Sequence, residues 1–144
     1  MIYLDSSVVF SVQSKDANTL AAVALVQAAP EPLVLTQLCE VEVINALCRR
    51  LFLKEISQKQ ASDSIGDFEL NLRNSVYRLL PFPESAFIRA KALAQSLTPT
   101  IGVRAANLLH VSAALELGAA YLYTFDQKQR QTALAAGLSV NPAP

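Results

Sequence analysis

The sequence predicts an α/β fold: a parallel sheet with helices on both faces and right-handed crossovers. One observation behind this is alternation. Short apolar runs at 2–4, 33–35, 76–80, 119–125 and 138–140 are separated by longer stretches of helical period. Such β-favouring runs suit strands buried on both faces. A second is that two of the runs are followed by an aspartate, Asp5 and Asp126. Open α/β sheets gather their chemistry at the carboxyl ends of strands.

The elements follow in order. Ile2-Tyr3-Leu4 is the first strand, and Val8-Val9-Phe10 suits either a helix start or a short loop. Ala17, Leu20, Ala21, Ala24, Leu25 and Ala28 have helical spacing over 17–29, ended by Pro30-Glu31-Pro32. Leu33-Val34-Leu35 is a second strand with Thr36 at its end. Residues 38–53 form a long helix whose core face is Val41, Val43, Ile44, Leu47 and Leu51. A polar link and a helix through Ile65, Phe68 and Leu72 occupy 54–75, with Asp63, Asp67 and Arg73 on a solvated side. A strand at 76–80 ends at Pro81-Phe82-Pro83, and a helix over 84–97 turns Phe87, Ala90, Leu93, Ala94 and Leu97 inward. Thr98–Gly102 reads as a loop. Residues 103–117, apolar on most sides, form a central buried helix closed by Gly118. A strand over 119–125, an amphipathic helix over 127–136 stopped by Gly137, and a short strand at 138–140 complete the fold, with 141–144 as a loose tail.

The 144 residues make one domain, 1–144, without repeat or linker. Only 17% of residues are charged against 52% apolar, so part of the surface is expected to be covered by a partner subunit or protein. A net charge of zero argues against strong non-specific nucleic-acid binding but leaves room for a local basic cleft. Cys39 and Cys48 fall in one helix, roughly 13 Å apart along its axis, too far for a disulfide. Two reduced thiols fit a cytoplasmic protein. The N-terminus lacks the basic region of a signal peptide, and no apolar stretch reaches the ~18 residues of a membrane span.

Asp5 has two readings. It caps the following helix, or it is a site acid needing a cation. If the strands before Asp5 and Asp126 are neighbours, both carboxylates face one crevice. Acids that close share a divalent cation or a proton. Oxygen ligands of this kind suit Mg²⁺ or Mn²⁺. Glu42, about a turn beyond the strand ending at Thr36, can point into the same crevice, although a dipole-favoured first-turn acid is its plainer reading. There is no Gly-x-Ser-x-Gly elbow and no Gly-rich phosphate loop, and one His with two Cys in one helix makes zinc improbable.

The whole ordered set resembles a family. Asp5-Ser6-Ser7 after a strand, Glu42-Val-Ile-Asn-Ala-Leu47, Arg104-Ala-Ala-Asn-Leu-Leu-His110, Thr124-Phe-Asp126 and Ala133-Leu-Ala-Ala-Gly-Leu138 are similar to PIN-domain ribonucleases, especially the toxins of VapBC toxin–antitoxin pairs. The resemblance implies a three-layer fold with a five-stranded parallel sheet. It also implies metal-dependent RNA cleavage, with Asp5, Glu42 and Asp126 as catalytic acids holding Mg²⁺ or Mn²⁺ and an activated water attacking the phosphodiester. The partners implied are an RNA substrate, a cognate antitoxin and a second copy in a homodimer.

One position departs. The third family carboxylate falls at Asn107, and residues 85–115 hold no Asp or Glu to replace it. Glu116, nine positions on, faces the other side of the helix. Asn107 can offer a carbonyl to a metal or an amide hydrogen bond to Asp5 or Asp126, but it removes one charge and should weaken the metal site. A weakened nuclease, a module that binds RNA or a protein without cutting, and a variant silenced for expression all accommodate it. A signalling receiver or phosphatase would want further acids beside Asp5, where Ser6 and Ser7 stand.

His110 is read as a hydrogen-bonded structural residue rather than a base, because metal-activated water needs no His. Arg104, three before Asn107, either shares its helix face and meets a carboxylate or phosphate, or is a plain surface residue. Ser6 and Thr124 flank site acids as hydrogen-bond donors to them, with capping as the alternative. Arg49, Arg50, Lys54 and Lys59 read first as a solvated face and second as an RNA contact. Leu20, Val23, Leu51 and Phe52 are assigned to the core, with a partner groove as the alternative.

Overall fold

The computed structural model describes residues 1–142. Strands β1 (Ile2–Leu4), β2 (Leu33–Thr36), β3 (Arg78–Leu80), β4 (Tyr121–Tyr123) and β5 (Ser139–Val140) form one sheet in the order β3-β2-β1-β4-β5. All pairings are parallel. The central strand β1 sets Ile2 opposite Leu33 on one side and Tyr121 on the other. The chain winds outward from β1 through β2 and β3, then returns to place β4 on its other side. Such a reversal opens a crevice at the carboxyl edge of the sheet, and β1 and β4 are the neighbours that bracket it.

Among the described residues, seven helices cover the sheet: α1 (Ser6–Gln13), α2 (Thr19–Gln27), α3 (Gln37–Phe52), α4 (Gln58–Arg73), α5 (Ser85–Ile101), α6 (Ala105–Glu116) and α7 (Gln127–Ala135). Alternation along β1 divides the core. Ile2 and Leu4 pack with Leu33, Leu35 and the α3 residues Cys39, Val43 and Leu47. Tyr3 points the opposite way and packs with Val34, Leu122 and the α6 residues Val111, Ala113 and Ala114. The result is three layers, as the period of two along a strand requires. Among the described residues no helix is long and apolar enough to cross a membrane.

The structure corrects several boundaries and faces. Helix α5 runs through Thr98–Ile101 instead of ending in a loop; Pro99 is exposed, so the carbonyl it cannot serve is on the solvent side, and Gly102 at φ 66° ends the helix. The strand at 119–125 shortens to three residues because Thr124 and Phe125 lead away from the ladder. Val41 is 64% exposed, since two positions turn a helix by about 200° and the buried stripe is Cys39, Val43 and Leu47. Phe87 is exposed for a like reason, one position past Ala86 on the Ala86–Ala90 stripe, and its ring packs against Phe82 at a tilt of 57°. Leu20 (87% exposed) and Phe52 (82%) are on the surface and not in the core. Asn141 is fully buried, so it is no part of a loose tail; 143–144 lie outside the described residues.

Candidate functional site

The β1–α1 junction builds the floor of the crevice. Leu4 ends the strand and Asp5 turns the chain into α1 as its N-cap, in extended backbone at φ −85° and ψ 171°. Oδ1 of Asp5 accepts from the backbone N–H of Ser7 at 3.0 Å and of Val8 at 3.3 Å, and from Ser7 Oγ at 2.6 Å. Oδ2 accepts from Thr124 Oγ1 at 2.9 Å. Asp5 is therefore a helix cap in fact. It is also only 2% exposed. Burial pushes its carboxyl above the usual range, opposed by the nearby His110 imidazole when charged and by the bonds from Ser7, Thr124 and Val8.

Glu42 comes from α3, on the other side of the switch point. Its Oε2 accepts from His110 Nε2 at 2.7 Å, and its side chain is 29% exposed. Burial raises the proton affinity of Glu42, but the bond and charge of His110 and a bond from Ser6 outweigh it, and the carboxyl lies below its ordinary range. His110 is itself buried on α6. Its Nδ1 is 3.0 Å from Tyr3 Oη, which is 2.9 Å from Thr36 Oγ1. Burial holds the Tyr3 hydroxyl well above the usual phenol range, so it keeps its proton. A buried polar chain thus runs from the end of β2 through β1 and α6 to a carboxylate at the crevice. Ser6 and His110 bring Asp5 and Glu42 into one neighbourhood.

Asp126 is reached differently. Thr124 and Phe125 separate it from β4, and it caps α7 by accepting from the Gln129 N–H at 2.8 Å. Its own N–H donates to Thr124 Oγ1 at 3.0 Å, the hydroxyl that donates to Asp5. The Phe125 N–H donates to Ser7 Oγ at 2.9 Å, locking the two junctions together. The buried N–H of Thr124 donates to Asn141 Oδ1 at 2.8 Å, and Arg130 Nη1 donates to the Asn141 carbonyl at 2.6 Å. The Asp126 side chain is exposed.

Asn107 is half-buried in the first turn of α6, three residues before His110. The bonds accepted by Asp5 and Asp126 come from other groups. Arg104 is the N-cap residue of α6, with extended backbone at ψ 155°, so it has left the helix and is exposed; the shared-face argument fails there. Glu116 does face away and pairs with Arg89 of α5. At the opposite end of α3, Arg50 pairs with Glu55, and Lys59 at the start of α4 pairs with Asp63, while Arg49 and Lys54 are exposed. Sequence reasoning missed Ser7, Tyr3, Thr36 and Asn141. For Ser7 a signal existed, since a hydroxyl two residues after a capping Asp is placed to bond it. Tyr3 and Thr36 looked like strand residues only.

The acids around these junctions, Asp5, Glu42 and Asp126, offer only hard oxygen donors. Among the described residues no three His, Cys, Asp or Glu side chains gather closely enough to hold a metal ion. That does not make a complete protein cage. An ion such as Mg²⁺, which keeps several waters and takes one or two carboxylates plus substrate phosphates, needs less than a complete cage. Burial raises the proton affinity of Asp5, and a cation beside it would oppose that shift.

Residues 2–134 match a family model, that of the PIN domain. Solved structures with the same fold include FitAcB from Neisseria gonorrhoeae, 20% identical with a TM-score of 0.69, covering 99% of this chain and 97% of that one. VapC20 from Mycobacterium tuberculosis, a sarcin–ricin-loop-cleaving toxin, is 18% identical with a TM-score of 0.69 over 100% of both chains. VapBC-1 from nontypeable Haemophilus influenzae is 23% identical with a TM-score of 0.68, covering 98% and 97%. No curated protein sequence matches the chain.

Proposed function

The chain belongs to the PIN-domain family, and from that premise we propose that it is a Mg²⁺- or Mn²⁺-dependent endoribonuclease of the toxin–antitoxin type, acting in the cytoplasm with a cognate antitoxin and as a homodimer. The observation that carries this reading is the meeting of Asp5 and Glu42, from β1 and α3, around Ser6 and His110 at the carboxyl edge of the sheet. The names of the similar structures support it, among them a sarcin–ricin-loop-cleaving toxin and a toxin–antitoxin complex from Klebsiella pneumoniae. Exposed Leu20 and Phe52 are apolar surface that a partner would cover, and Cys39 and Cys48 are both free thiols.

In this reading Asp5 and Glu42 hold the ion, with Asp126 and the Asn107 carbonyl completing the oxygen lining. When bound, the ion lowers the pKa of a water and offsets charge developing on the phosphodiester. The protein's own work is to fix both acids in place and to keep Glu42 ionised. His110 and Ser6 hold Glu42 ionised, and Thr124 and Ser7 clamp Asp5.

A second reading, a catalytically weak RNA- or protein-binding module, is favoured by the neutral Asn107. The deciding measurement is cleavage of RNA with Mn²⁺ or Mg²⁺ by this chain, Asn107→Asp and Asp5→Ala. Cutting by the unaltered chain that Asp5→Ala abolishes is the expected result. Cutting only by Asn107→Asp supports the disabled site, and no cutting by either rejects the nuclease reading.

A further inference from the structure

We propose that His110, anchored by Tyr3 and Thr36, is a positioning residue that aims the Glu42 carboxylate into the crevice. This deepens the reading above and rests on it. The two residues belong to opposite layers: α3 packs with Ile2 and Leu4 on one face of the sheet, and α6 packs with Tyr3 on the other. Their 2.7 Å bond crosses the carboxyl edge between the layers. Glu42 has three side-chain torsions and partial exposure, so by itself it samples many rotamers. His110 has no such freedom. It is 1% exposed, its ring meets the Tyr3 ring edge-on at 5.8 Å and 64°, and Nδ1 is tied to Tyr3 Oη. Tyr3 is held in turn by Thr36, the last residue of β2. An ionised carboxylate only accepts, so Nε2 must carry the proton in this bond. The device references Glu42 to the two central strands instead of to its own helix.

The chain contains one histidine, so its imidazole gives a single set of ¹⁵N-edited NMR signals without assignment by mutation. The expected signature, in the unaltered protein without added metal, is a proton on Nε2 protected from solvent exchange. Its shift moves in Glu42→Gln, and its exchange quickens in Tyr3→Phe. A ring protonated only at Nδ1, or a signal indifferent to Glu42→Gln, overturns the proposal.

The kinetic arm uses two amides. In His110→Gln the amide reaches about as far as Nε2 and can still donate to Glu42, whereas in His110→Asn it reaches only about as far as Nδ1. His110→Asn is expected to lose roughly 10- to 100-fold in kcat with little change in KM, and His110→Gln to lose clearly less, at matched melting temperatures. Equal kcat for the two variants, or losses that track melting temperature, overturn the positioning role. Full cleavage by Glu42→Gln instead rejects the nuclease reading of Glu42, and an inactive Glu42→Gln beside a fully active His110→Asn rejects only the role of His110. If neither the unaltered chain nor Asn107→Asp cuts, the nuclease reading falls and the Nε2 proton by itself decides the pairing.

Discussion

The β1–α1 and β4–α7 junctions are built from one local pattern, a short buried strand followed by an aspartate that caps a helix. They end in different environments. Asp5 follows its strand at once and is buried, with both oxygens engaged and its carboxyl pushed up by desolvation. Asp126 follows two residues later and is exposed, with the Gln129 N–H on one oxygen. The two intervening residues account for the difference. Thr124 takes the buried place beside Asp5, and the chain then carries Asp126 outward. The same residue type in the same motif is thus a charge held against its solvation preference in one case and an ordinary cap in the other. Perturbed acids of the first kind concentrate at functional sites.

The largest contrast is expected in activity. Asp5→Asn should lower RNA cleavage by at least about 100-fold, and Asp126→Asn by clearly less, measured as single-turnover rates in Mg²⁺. Equal losses would remove the distinction between the junctions.

In stability the order is the same. Asp5→Ala removes a cap and leaves the Ser7 and Thr124 hydroxyls short of an acceptor, at about 2–3 kcal/mol, whereas Asp126→Ala should cost about 1 kcal/mol by urea denaturation. Asp5→Asn keeps the cap and sheds the buried charge, so it should unfold no earlier than the unaltered protein at neutral pH.

A pH series sharpens the point. Because the Asp5 carboxyl is raised on folding, the native state keeps a proton that the unfolded chain has lost above about pH 4. Stability therefore drains as pH climbs above about 4, and Asp5→Asn should gain on the unaltered protein over that rise. Glu42 has the opposite sign. Its lowered carboxyl contributes stability above its unfolded value and loses it as pH falls through the folded one, so Glu42→Gln should approach the unaltered protein only in acid.

The smallest effect belongs to Asn107→Asp. An acid in the first turn of α6, which has none, should add about 0.3–1 kcal/mol through the helix dipole. A larger rise in melting temperature for Asn107→Asp than for the unaltered chain on adding Mn²⁺ would show that the position faces the ion.

Much of this was legible beforehand. The five strands were visible as short apolar runs, because a strand covered on both faces has no polar side to disguise it. Asp5, Ser6, Glu42 and Thr124 could be named because acids and hydroxyls at strand ends and first helical turns are few. Faces were harder. Val41 and Phe87 look as apolar as their buried neighbours, and only the stripe each helix presents to the sheet separates them. Pro99 reads as a stop until its turn proves to be solvated. Asn141 looked like the first residue of a tail, yet its amide is what the buried Thr124 N–H requires.

The sequence by itself determined the alternation of elements, the capping aspartates and the neutral residue at position 107, because these depend on local backbone preference and residue type. The tertiary structure alone decided that Asp5 is buried and Asp126 exposed, and that Thr36 and Tyr3 are linked to Glu42 through His110. Those outcomes depend on contacts between residues 33, 68, 107 and 119 positions apart. Desolvation and hydrogen-bond geometry at that range are set by how layers pack, and no local pattern carries that information.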